Sequence, residues 1–132
     1  MKVSPENILP SQNFLKPETL KYILECMKNG KLDKLPPNPI VREDDDGKMV
    51  AIDGHNLIAV KLLRNEDVDV HVAKTADDGL PETSDANIQR NQDLKKRFIT
   101  VLKDRTRLQA EGINSFNDLI ARYNDILHEY EE

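Results

Sequence analysis

The sequence predicts a small α+β domain: a mixed sheet with helices, followed by a C-terminal helical hairpin. Three observations predict it. Apolar residues recur at helical spacing in 17–28 and again through the last third of the chain. Two strand-like runs flank an acidic turn in PIVREDDDGKMVAID, where Asp46-Gly47 is a favoured turn pair. The run VDVHVA alternates, with Val68, Val70 and Val72 on one side. In order, these give a helix, a hairpin, a helix, a strand and two helices.

Each element has a local reason. KVSPENILPSQ reads as short extended pieces broken by Pro5 and Pro10. Pro17 suits a first helical position and Glu18 the positive helix start. Leu20, Ile23, Leu24 and Met27 form the buried stripe of that helix, and Asn29-Gly30 ends it. LPPNP then forces an extended connection. A helix follows Gly54 and runs to about Arg64, with Leu57, Ala59, Val60 and Leu63 on its buried side and Asn65-Glu66 as its stop. A polar linker occupies 74–85. The last part is a helix over roughly 86–110, a break at Gly112, and a second helix from Ser115, with Asp118 three residues on as in a capping box. Residues 1–84 are expected to form the α+β domain, and 85–132 a helical extension packed on it.

Composition narrows the function. The chain has 132 residues, 38% hydrophobic and 33% charged, enough for one core. No apolar run reaches membrane-spanning length, and the start lacks the apolar stretch of a signal peptide. Cys26 is the one cysteine and sits within an apolar helical pattern, so a reducing cytoplasm is the expected compartment. Net charge is −5, which does not suit a protein that blankets nucleic acid. The charge is uneven: residues 85–110 hold seven basic and three acidic residues, and 111–132 hold one basic and six acidic. Within the basic helix, Leu94, Phe98, Val101, Leu102 and Leu108 make an apolar stripe, and Lys96, Lys103 and Arg107 share another face that is a candidate for DNA phosphates. A solvated face is the plainer alternative, because the helix after the turn is acidic and unlike a recognition helix. That last helix, with Phe116, Leu119, Ile120, Tyr123 and Leu127 at helical spacing, reads as a packing helix, against its neighbour or in a homodimer.

The point of most chemical interest is VAIDGHNLIAVKLL, residues 50–63. A strand that ends in glycine and turns directly into a helix presents the helix's first N–H groups, which have no partner within the helix. With the helix dipole they form an anion site for phosphate or carboxylate. Gly54 permits the tight turn, His55 and Asn56 add side-chain donors, and Asp53 is placed to hold a magnesium-bound water or to orient a hydroxyl. The plainer alternative has Asp53 capping the helix and His55 and Asn56 on a solvated first turn. Glu43-Asp44-Asp45-Asp46 lacks the ligand pattern of a calcium loop and reads as a hairpin tip. His71 falls on a polar strand face and His128 near the C-terminus. No His/Cys cluster has metal-ligand spacing.

The stretch LPPNPIVREDDDGKMVAIDGHNLIAVKLL, preceded by VSPENILPSQNFLKPETLKYI, resembles the ParB/sulfiredoxin-like superfamily over about residues 3–74. The shared features are a short I-x-P-S/T-Q segment before a helix, a Pro-rich lead into a hairpin, and a strand–DGH–helix turn. The resemblance implies a phosphate or nucleotide pocket at Asp53, Gly54, His55 and Asn56, with Gln12 near it and magnesium as companion. Chromosome-partition members bind and hydrolyse CTP and clamp on DNA, sulfiredoxins repair oxidised peroxiredoxins, and some stand-alone members phosphorylate free serine. Two departures matter. The family's arginine after the turn is Leu57 here, which cannot clamp a phosphate. His55 stands where sulfiredoxins place their cysteine, which argues against that activity. The resemblance therefore implies a binding or regulatory module with a degenerate pocket. Its alternative is a nucleotide-dependent kinase of a small molecule such as free serine, with a carboxylate as base that Glu18 and Glu25 do not obviously supply. A DNA-binding partition accessory is the third reading.

Overall fold

A computed structural model describes residues 1–123. The elements are β1 (Lys2–Val3), β2 (Ile8–Leu9), α1 (Pro17–Lys28), β3 (Ile40–Glu43), β4 (Met49–Asp53), α2 (His55–Leu63), β5 (Val68–Asp69), β6 (His71–Val72), α3 (Asp85–Ala110) and α4 (Phe116–Ile120). Short 3-10 turns fill Pro5–Asn7, Leu32–Lys34 and Ala121–Tyr123. The result is a small α+β fold with mixed sheets, as the pattern predicts. No described helix is long and apolar enough to cross a membrane. Leu127 and His128 lie outside the described residues, as does the second half of the last expected helix.

The main sheet has the order β2-β4-β3-β6, parallel at β2/β4 and β3/β6 and antiparallel at the β3/β4 hairpin. The hairpin turns at Asp44–Gly47, where the Asp44 carboxylate accepts from the N–H groups of Asp46 and Lys48, both at 2.9 Å. That acidic tip is a side-chain-braced turn. One expectation fails. VDVHVA is not a single strand: it divides at Val70 into β5, which pairs antiparallel with β1, and β6, which joins β3. Alternation reports which side is buried, and it is indifferent to which sheet provides the partner.

Helices cover both faces of β4. Ala51 joins a core with Ile8 and Val41 from the neighbouring strands and with Ile23, Ile58, Phe116 and Leu119 from α1, α2 and α4. Val50 and Ile52 point the other way and meet Ile40, Ala73, Leu94 and Val101 under α3. Because both faces are covered, β4 reads as a continuous apolar run. α2 is buried nearly all round: Leu57, Ile58, Ala59, Val60 and Leu62 are all buried, and Leu63 less so.

The helix ends follow the local signals. Ser84 caps α3 by accepting from the Asn87 N–H, and Ser115 caps α4 by accepting from Asp118. The Asp118 carboxylate accepts from the Asn114 N–H, one residue earlier than a capping box requires. At the far end of α3, Gly112 takes φ 85° and Ile113 donates back to Leu108 at 2.9 Å. Leu108 and Ile113 are both buried, which completes that stop.

Candidate functional site

β4 carries the chain to Asp53, the centre of the candidate site. Gly54 then takes φ 89°, and α2 starts at His55. A side chain at Gly54 would fail twice. Its Cβ would lie 2.7 Å from Cβ of Pro39, in a backbone region that L-residues rarely adopt. Pro39, from the Pro-rich lead, therefore roofs the turn.

The Asp53 carboxylate accepts from the Gly54 N–H at 2.8 Å through Oδ1 and from Arg90 Nε at 2.7 Å through Oδ2. The Arg90 guanidinium also donates to the Asn38 carbonyl, so α3 ties the turn to the Pro-rich lead before β3. The pair is partly shielded, with the arginine side chain only 11% exposed.

His55 does not lie on a solvated turn. It is 2% exposed. Its Nε2 accepts from the Ser11 N–H at 3.0 Å, so the neutral ring carries its proton on Nδ1. The Ser11 hydroxyl, 3.3 Å from that nitrogen, donates to the Ala51 carbonyl. Phe116 packs on the ring, with centroids 5.6 Å apart. Burial first, then the Arg97 charge, push the imidazole pKa down to about 3, against an opposing pull from Asp53. His55 is thus a neutral acceptor that ties the LPSQ segment to the start of α2.

The other predicted residues separate. The Asn56 side chain accepts from the Lys16 N–H at 2.8 Å, joining α2 to the start of α1. Gln12 turns back on its own loop and donates to the Phe14 carbonyl. Leu57 packs into the core, as expected for a leucine in place of an arginine. Lys96, Lys103 and Arg107 are exposed on the outer face of α3, away from the turn, and Arg107 pairs with Asp104 at 3.3 Å. Glu18 and Glu25 are exposed on α1.

The structure adds Arg90 and Arg97, and gives Ser11 of the LPSQ segment its partners. The Arg97 guanidinium donates to the Ile52 carbonyl and, at 3.3 Å, to the Ser11 hydroxyl. Further along α3, buried Arg105 donates to the carbonyls of Pro10 and Ile113 and to the Asn114 side chain. A sequence signal for these residues exists. Arg90, Leu94, Arg97, Val101, Arg105 and Leu108 succeed one another at steps of four, three, four, four and three. That is the period of one helix face, so the arginines share the leucines' side.

Chemically, the turn collects positive potential. The N–H groups of His55, Asn56 and Leu57 find no acceptor among the described residues. Arg90 and Arg97 reach the residues just before them, Asp53 and the Ile52 carbonyl, and Asp53 offsets one charge. The chain matches no protein-family model, no curated protein and no solved structure.

Proposed function

We propose that the chain is a ParB/sulfiredoxin-like binding module that takes a phosphate-bearing ligand, such as a nucleotide with magnesium, at the strand–DGHN–helix turn. The carrying observation is the pair of guanidiniums that α3 brings to the end of β4, Arg90 at Asp53 and Arg97 at the Ile52 carbonyl, just ahead of α2. Leu57 leaves the turn without the arginine that the family pattern places there. Arg90 and Arg97 supply the same charge from another element, with the fork geometry that suits phosphate. In this reading the Asp53–Arg90 pair is the resting state, and an incoming phosphate competes for Arg90.

The same geometry favours binding over turnover. A general base needs an accessible lone pair near its working pH. His55 is buried and neutral, and its Nε2 lone pair is engaged by Ser11. Asp53 accepts from both sides. Phosphotransfer to a small hydroxyl acceptor therefore has less support than ligand sensing.

Thermal melting against a nucleotide panel with magnesium tests this, because a ligand that binds only the folded chain raises Tm. The expected result is a rise with one nucleotide that Arg90→Ala reduces at least about tenfold in apparent affinity, near 1.4 kcal/mol. No rise with any nucleotide, or a rise that Arg90→Ala and Arg97→Ala both leave unchanged, sinks the proposal.

A further inference from the structure

The segment from 74 to 84, which joins β6 to α3, lies along the helix. Asn87, Asn91 and Lys95 follow one another at four-residue steps, so they form one row on α3. Each member of the row meets this strap. Asn87 donates to the Pro81 carbonyl at 2.8 Å. Asn91 accepts from the Leu80 N–H at 2.7 Å and donates to the Leu80 carbonyl at 2.9 Å. Lys95 lies 4.0 Å from the Asp77 carboxylate. The strap therefore runs antiparallel to the helix. Its Leu80 side chain packs on the cluster that holds Ile40, Val50, Ile52 and Leu94. Its near end is tied to β6, where His71 Nε2 donates to the Asp78 carbonyl at 2.8 Å.

Asn91 is the centre of this seam. It is 9% exposed, and both ends of its amide are spent on the backbone of Leu80. Gly79 lets the strap come this close, because a Cβ there would lie 2.6 Å from Oδ1 of Asn91. Asn91 also adjoins Arg90, roughly 100° round the helix from it. Arg90 has acceptors on two separate segments, the Asp53 carboxylate and the Asn38 carbonyl, so its backbone position tolerates little drift.

We propose that Asn91 is a positioning residue for the phosphate site. By locking the strap to α3 it fixes the rotation of the helix that presents Arg90 to Asp53. Leucines alone set that rotation poorly, because apolar burial is non-directional, whereas two amide hydrogen bonds admit one alignment. The purpose of the lock rests on the phosphate reading, while its geometry does not.

NMR of the full chain tests this through the Arg90 Nε–H signal, assigned by its loss in Arg90→Lys. A hydrogen bond to a carboxylate protects that proton from exchange with water. Asn91→Ala is expected to shift the signal and to speed its exchange. Gly79→Ala, which crowds Asn91 without touching the turn, is expected to do the same. Ser84→Ala is the control: it removes the cap of α3 and lowers Tm, leaves the Asn91–Leu80 pair in place, and is expected to leave the signal where it is. Inorganic pyrophosphate with magnesium, titrated on the same signal, is expected to bind the unmutated chain, and Asn91→Ala and Gly79→Ala about tenfold more weakly. The proposal is overturned if the signal stays in place in both variants, even where Tm falls, or if Ser84→Ala moves it as far. Equal pyrophosphate affinity in all the chains also overturns it. If the unmutated chain takes no pyrophosphate, the phosphate reading fails, and a signal that still moves in the variants keeps Asn91 as the residue that places Arg90.

Discussion

At the scale of single residues, His55 carries most of the consequence. Its folded pKa of about 3 lies below the ordinary value of 6.5. Between those values the unfolded chain binds a proton that the folded chain excludes. Stability therefore rises with pH across that window, and the full contribution is present only above about 6.5. From pH 6.5 down to 5, before most carboxylates titrate, unfolding free energy is expected to fall toward a slope of about 1.4 kcal/mol per pH unit. Urea midpoints measured across this range check it. His55→Gln should flatten the slope, and an unchanged slope in that variant would assign the acid sensitivity elsewhere. The sequence marked position 55 as special and misjudged why. Strand-then-glycine predicts the turn, but only Ser11 and Phe116, distant in the chain, decide that the ring is enclosed.

At the scale of elements, α3 is the piece whose role the sequence least disclosed. Its span and its break at Gly112 are local, and the pattern reads them to within a residue, while it places the Ser84 cap in the polar linker. Lys96, Lys103 and Arg107, the basic residues that the pattern sets on an outer face, are exposed, but it gives Arg90, Arg97 and Arg105 no face. These three arginines face inward, where main-chain carbonyls and one carboxylate receive them. Arginine tolerates this because its stem packs on apolar neighbours while its fork satisfies several acceptors. The Arg42 guanidinium does the reverse, reaching from β3 to lie 4.0 Å over the Phe98 ring and donating to the Phe98 carbonyl. Arg105 gives the clearest test. Burial lowers its pKa, with the Asp118 charge opposing. Arg105→Met leaves acceptors at Pro10, Ile113 and Asn114 without their donor, and should cost about 2–4 kcal/mol. Arg107→Met, on the exposed face, should change stability by less than about 0.5 kcal/mol. Chemical denaturation of the two variants side by side would expose a misassigned face if the losses were equal.

At the scale of the whole molecule, the sheet depends on helices from both ends of the sequence. α1, α2 and α4 bury one side of β4, and α3 is the helix that covers Ile40, Val50 and Ile52 on the other. Each of those side chains is worth about 1.5–3 kcal/mol when buried, a total comparable with the stability of a small domain. A chain truncated after residue 84 is therefore expected to lose cooperative unfolding and to bind a hydrophobic dye. A sharp melting transition in the truncated chain would show that residues 1–84 stand alone. Of the apolar residues expected to support a dimer, Leu94, Val101, Leu108, Phe116, Leu119 and Ile120 are buried within this one chain, Phe98, Leu102 and Tyr123 are half-buried, and Leu127 lies outside the described residues.

The sequence by itself determined what is local: where helices start and stop, the hairpin and its tip, the glycine turn after β4, and the inward leucine at 57. Periodicity and turn chemistry act over a few residues, so a few residues suffice to read them. Tertiary structure decided what depends on residues far apart in the chain. It split VDVHVA between two sheets, enclosed His55 against Ser11 and Phe116, and brought Arg90 to Asp53 across 37 positions. A side chain's spacing specifies its face, whereas its partner is set by whatever the fold packs against that face.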